Sequence, residues 1–347
     1  MRAYDPIAAV SELRVPVAED PTELVRPACP RCGARTARHV LTGRDHLHGT
    51  RSSVSVAECM ECGIWFQSPR LVASRHNELY PTDYGPHEGL PPDVPRLRPI
   101  TLDHLRRQMG YVHLPEGPVR GPVALIPRPV AERLLRHRTG EMLIPFYVRG
   151  RVLEVGCGNG AMLRLLRSLG WNDLYGIEVD VEAADSARAT GATILTARIE
   201  DGLREFPDEH FSVVVASMVM EHVDRPYEVI GEIARKIEPN GQLLLSTIDR
   251  DSLDAKIFGE FWTGFDFPRH MTYFRRSDIS ALLERDFDRL EWFHQDVPND
   301  WISSASWRSD PLDRAILSAS PLVRLASTAI ALAGRATRVS IRARRKA

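Results

Sequence analysis

The stretch "RVLEVGCGNGAMLRLLRSLG", Arg151–Gly170, decides the fold. "RVLEV" reads as a short apolar strand and "AMLRLLRSLG" as an amphipathic helix that stops at Gly170, with the loop Gly156-x-Gly158-x-Gly160 between them. Glycines there let backbone approach a ligand with no Cβ in the way. The rhythm then repeats. "DLYGIEV" is a second strand and "VEAADSARATG" a second helix closed by Gly191; "ATILT", "FSVVVAS" and "QLLLSTI" supply three more strands. "PYEVIGEIARKI" is a helix between the last two, and "EPNG" the turn out of it. Strands alternating with helices imply a doubly wound, mainly parallel α/β sheet, whose ligands lie at the carboxyl ends of the strands.

Two carboxylates separate this loop from a dinucleotide fingerprint. Glu154 lies two positions before the first glycine, where it repels a pyrophosphate and tolerates a cationic ligand. Glu178 ends the second strand, where a carboxylate can accept both hydroxyls of a ribose. Cys157 reads as a small packing residue.

With these motifs in order, the chain resembles the class I S-adenosylmethionine-dependent methyltransferases over roughly residues 145–300: "VLEVGCGNG" is similar to their first motif, "GIEVD" to the acidic second-strand motif, and "SMVMEHVDRPYEVIGEIARKIEPNGQLLLSTID" to the fourth- and fifth-strand blocks. The resemblance implies a seven-stranded Rossmann-like sheet. It also implies that Glu154, Gly156, Gly158 and Gly160 shape the methionine site and that Glu178 holds the ribose. Ile199 and Glu200, in the segment up to Asp201, would flank the adenine, and Ser217 and Met218 would close the far side. Ser212 stands where the family usually has Asp.

Upstream, "CPRC" (Cys29, Cys32) and "CMEC" (Cys59, Cys62) are each followed by glycine, Gly33 and Gly63. Two such turns offer one metal four thiolates, a closed tetrahedral shell that suits structural zinc. We therefore expect a small zinc-ribbon-like unit with its linker over residues 1–95, a helical connecting segment over 96–148 and the methyltransferase domain over 149–347. In the connecting segment, "LDHLRRQM" and "PVAERLLRHRTGEMLIPF" look helical, with Pro129 in a first turn.

Methyl transfer to a hydroxyl or carbon acid needs a base near the strand ends. His270, in "FWTGFDFPRHMTYF" (residues 261–274), and His222, in "MEHVD", are the candidates, with the helix entry before Pro226 as the bland role for His222. The cysteine unit narrows the resemblance to zinc-containing methyltransferases that include sugar C-methyltransferases, whose motif is Glu-His-x-x-Tyr-Phe. Here Arg269 replaces the glutamate, which favours oxygen over carbon as the methyl acceptor. Arg269 either binds an anionic group of the acceptor or pairs with Asp266 or Asp278. Tyr84, with Tyr80, corresponds to a tyrosine-rich border of the acceptor pocket in the sugar enzymes.

The expected function is methylation of a small-molecule or glycan-type acceptor, with S-adenosylmethionine as cofactor and Zn2+ in a structural role. C-methylation of a nucleotide-linked ketosugar and RNA methylation through the zinc unit are the alternatives. A net charge of −1 and the lack of an aromatic series around the cysteines weigh against nucleic acid. The N-terminus lacks an apolar leader, and no run of about 18 apolar residues occurs, so a cytoplasmic protein is expected. Seven basic residues and no acid follow from Arg324. The tail has two readings: a helix over 311–333 followed by an antiparallel edge strand in "TRVSIRAR", or a peripheral contact with an anionic membrane.

Overall fold

The computed structural model describes residues 24–48, 53–80, 84, 97–116, 127, 130, 144–147, 150–308, 310, 311, 313 and 320–347. Five strands precede the large sheet: β1 (Leu24–Val25), β2 (Ala37–Arg44), β3 (Ser53–Cys59), β4 (Trp65–Gln67) and β5 (Arg70–Leu71). Eight more follow: β6 (Arg151–Val155), β7 (Asp173–Glu178), β8 (Thr193–Thr196), β9 (Phe211–Ser217), β10 (Ile237–Ile248), β11 (Thr272–Tyr273), β12 (Phe287–His294) and β13 (Arg338–Arg345).

Seven of these form one sheet in the order β12-β13-β10-β9-β6-β7-β8. All neighbours from β10 to β8 are parallel, and β13 runs antiparallel to both β10 and β12. The central strands are buried on both faces, as parallel strands covered by helices must be. Because side chains alternate along a strand, Leu153, Val155, Val214 and Ala216 join one core with Ile230 and Ile233. Val152, Val213 and Val215 join the opposite core with Leu163, Leu166 and Trp171. The strands and helices expected from residue 151 onward are present, and Gly170 and Gly191 end their helices at φ 98° and 83°.

Two expectations change. The "EPNG" turn is the irregular leading part of β10, where the ladder to β9 slips between Ile237 and Gln242 and Asn240 takes φ 66°. The C-terminal strand exists but is not at the edge: β13 is inserted between β10 and β12, so Val339, Ile341 and Ala343 are fully buried. Its edge place is taken by β12, which the sequence pattern hides because Arg289, at φ 51°, resets the alternation in the middle of the strand. Of the helix expected over 311–333, Ser320–Leu332 is helical, and residues 312 and 314–319 lie outside the described residues. In the connecting segment Pro99–Gln108 is helical, and Pro129 with most of "PVAERLLRHRTGEMLIPF" lies outside the described residues.

The basic tail is already engaged. Arg338 pairs with Asp300, Arg342 with Glu291, Arg344 with Asp288 and Arg345 with Glu209, all within the fold. Among the described residues no helix is long and apolar enough to cross a membrane.

The cysteine unit carries a four-stranded sheet, β11-β4-β3-β2, whose fourth strand comes from beyond β10. Thr272 pairs with Phe66 and Tyr273 with Trp65. The unit and the chain that follows the large sheet's β10 therefore share backbone hydrogen bonds two residues from His270.

Candidate active site

At the end of β6 the glycine loop is forced by sterics. Gly156, Gly158 and Gly160 all take positive φ (68°, 51° and 82°). A Cβ on Gly160 would stand 2.8 Å from the Cα of Ala187, so the loop packs onto the next helix with no room to spare. Glu178, at the end of β7, is buried and binds this loop. Its Oε2 accepts from Gly158 N at 2.7 Å, and its Oε1 from Val179 N and Asp180 N at 2.8 and 2.9 Å. Any ribose contact must share this carboxylate with the loop. Glu154, at the end of β6, is buried, and Cys157 packs inward with burial raising its thiol.

β6 and β9 are adjacent, with β7 continuing on one side and β10 on the other, so the switch in strand order falls between them. Ser217 ends β9 there. Met218 follows at φ 53°, an uncommon conformation for a side chain of this kind, held by donation from its N–H to Ser246 O at 2.8 Å. It packs against the aromatic cluster that holds Phe265 and Phe267. Ile199 and Glu200 open the helix Ile199–Arg204 after β8, half-buried.

His270 is buried, and its Nδ1 lies 2.8 Å from Gly264 O. A carbonyl only accepts, so Nδ1 carries the hydrogen and Nε2 is the basic atom. Nε2 faces Asp266 Oδ2 at 3.7 Å and Glu221 Oε1 at 4.0 Å. Glu221 is fully buried, which pushes its carboxyl above the usual range; Oε2 accepts from Thr247 at 2.8 Å, while Oε1 has no hydrogen-bond partner. For Asp266 burial acts upward too, yet the charges of His270 and Arg269 hold it below the usual range.

His222 stands edge-on to His270, ring centres 4.6 Å apart. The helix entry expected of it is not its role, because the helix Pro226–Lys236 is preceded by Arg225 at the cap. Instead its Nδ1 lies 3.1 Å from Tyr80 Oη and 3.2 Å from Arg269 O. Burial and the neighbouring His270 push it down to about 3, so it is neutral across the working range. Tyr84 lies 5.1 Å from Tyr80 and 6.2 Å from His48, ring to ring, and burial pushes its hydroxyl well above the usual range. It is a wall or hydrogen-bond donor, not a phenolate.

Arg269 settles between its two expected roles. The side chain is fully buried and forks onto Asp45 (3.2 Å to each oxygen) and Asp266 (2.7 Å), donating also to Phe267 O at 3.0 Å. Its guanidinium is committed to these protein oxygens. Asp278 pairs with Arg31 and Arg275 instead. Sequence reading missed Asp45, and gave Asp266 only as a partner for Arg269; the latter's position four residues before His270 was its one signal.

The four cysteines converge. Cys29 Sγ lies 3.5 Å from Cys62 Sγ and Cys32 Sγ 3.5 Å from Cys59 Sγ, and all four sulfurs lie within 4.8 Å of one another. Four thiolates around zinc at ~2.3 Å stand about 3.8 Å apart, so the set fits that ion. The two knuckles are near copies: Gly33 N donates to Cys29 O at 3.0 Å and Gly63 N to Cys59 O at 2.9 Å, at φ 73° and 72°.

Residues 128–286 match the family described as "Methyltransferase domain". An uncharacterised protein of Methanocaldococcus jannaschii is 26% identical over 136 residues, 39% of this chain and 63% of the relative. The ubiquinone biosynthesis O-methyltransferase of Neisseria meningitidis is 31% identical over 107 residues, 29% of this chain and 45% of the relative. The chain thus spans less than two thirds of either relative's length. A crystal structure of an Archaeoglobus fulgidus SAM-dependent methyltransferase superposes with a TM-score of 0.41 at 18% identity, covering 57% of this chain and 88% of that one. Residues 128–286 are therefore a methyltransferase domain, carried on a Rossmann-like α/β fold.

Proposed function

We propose that this protein methylates a small or glycan-type acceptor, at oxygen rather than carbon, with His270 as the base and a structural zinc on the four cysteines. S-adenosylmethionine, when bound, supplies the activated methyl carbon, so no electrophilic help is asked of the protein. The glycine loop, Glu154 and Glu178 are the residues suited to hold its methionine and ribose parts, Ile199 and Glu200 its adenine, and Ser217 with Met218 the far wall. The chain's own work is to align an acceptor hydroxyl, exclude water and take its proton.

The observation that carries the reading is the orientation of His270. With Nδ1 committed to Gly264 O, Nε2 is left to accept a proton, and the imidazolium so formed stands between the carboxylates of Asp266 and Glu221. Similarity to an O-methyltransferase of ubiquinone biosynthesis supports oxygen as the target. The same carboxylates favour a second reading, methylation of a carbon acid such as a ketosugar, because they supply in space the acid that Arg269 removes from the motif. The test is transfer of label from methyl-labelled S-adenosylmethionine to a cell extract by wild type, Glu178→Ala and His270→Ala, with the product's methyl carbon identified by NMR. Full cofactor affinity in Glu178→Ala would show that the site is misassigned, and full transfer by a folded His270→Ala would remove the base.

A further inference from the structure

We infer that Gln67, a residue of the cysteine unit, is a positioning residue for His270, which makes that unit part of the catalytic apparatus; this rests on the reading of His270 as the base. Gln67 is buried at the end of β4, the strand that leaves the second knuckle. Its side-chain Nε2 donates to Pro268 O at 2.8 Å and to His270 O at 2.7 Å, which uses both amide hydrogens. Its backbone N donates to Met271 O at 2.9 Å. One residue therefore grips the chain before, at and after His270. The His270 carbonyl takes a second donor, Tyr273 Oη at 2.8 Å, from the strand that pairs with β4.

The grip is connected to the knuckle by short rigid links. β3 ends on Cys59, Cys59 N donates to Ile64 O at 2.9 Å, and β4 begins one residue later. Arg250 and Arg275, from the large-sheet half, donate to Gly63 O at 2.7 Å and Cys62 O at 3.1 Å. Buried amide donors that are both satisfied fix orientation, because any rotation of the loop would leave one of them unpaired. Met has nearly the length of Gln and no donors, so Gln67→Met frees the loop while keeping the packing.

The full chain with 13C-labelled histidine is compared as wild type, Gln67→Met, Gln67→Glu and Tyr273→Phe, with the His270 ring signal assigned from its loss in His270→Asn. In Gln67→Met the His270 signal is expected to move while that of His104 stays. Transfer to extract acceptors falls roughly 10- to 100-fold in kcat, with the Kd for S-adenosylmethionine held within about twofold. Gln67→Glu, which keeps size and can donate at most one hydrogen bond, and that only when protonated, and Tyr273→Phe move the same signal if Gln67→Met does not fold. An unmoved His270 signal in the folded variants overturns the proposal. Full transfer by His270→Ala would instead overturn the base reading, and the ring signal, being independent of turnover, tells the two failures apart.

Discussion

Replacing Asp45 by asparagine tests the link between the two halves of the molecule. Asp45 and Arg269 have fully buried side chains, and the guanidinium forks onto both carboxylate oxygens at 3.2 Å. At that separation an effective dielectric of 20 gives an attraction of about 5 kcal/mol. Not all of it is lost, because Arg269 keeps Asp266 at 2.7 Å and asparagine keeps one oxygen. Breaking a buried pair costs about 3–5 kcal/mol when the partner is left alone; with Asp266 in place we expect about 2–3 kcal/mol. For a domain of this size that lowers Tm by roughly 4–12 °C. The assay is thermal unfolding of wild type, Asp45→Asn, Arg269→Met and the double variant. A coupling energy of about 1–3 kcal/mol is expected, barely reduced by added salt since neither charge meets solvent. Additivity of the two single changes within about 0.5 kcal/mol would refute the reasoning.

Two further predictions concern pH and metal. His222 is held at about 3 in the fold against an ordinary value near 6.5, so the unfolded chain binds the extra proton between these limits. Stability should therefore fall as pH drops from about 6.5 towards 3, and His222→Asn should flatten that slope in denaturant titrations at successive pH values; an unchanged slope counts against the assignment. Metal analysis should return one zinc per chain, lost in Cys59→Ser together with stability. A second equivalent that disappears with His270→Ala would make His270 a ligand and not a base.

Much of the fold was legible because its signals are local. The glycine loop, the strand-helix alternation from Arg151 onward and the paired knuckles at Cys29 and Cys59 are set by neighbours in the chain, and each appears where the pattern put it. β12 was hidden by one residue, Arg289, whose positive φ breaks a periodicity that reading depends on. His222 was placed by its distance from a helix start, yet a packed ring and a buried carbonyl determine its surroundings.

By itself the sequence determined an α/β sheet with a four-cysteine unit before it, since short-range periodicity and spacing encode both. What surrounds Arg269 and His270 was decided only by tertiary structure. Beside Asp266, which is local, the second partner of Arg269 lies 224 residues away at Asp45, and the grip on His270 comes from Gln67, 203 residues away. No local pattern records which buried donor will meet which buried acceptor. That pairing is set when β4 and β11 join in one sheet, and it turned an aromatic segment around a lone histidine into a held ring of fixed orientation.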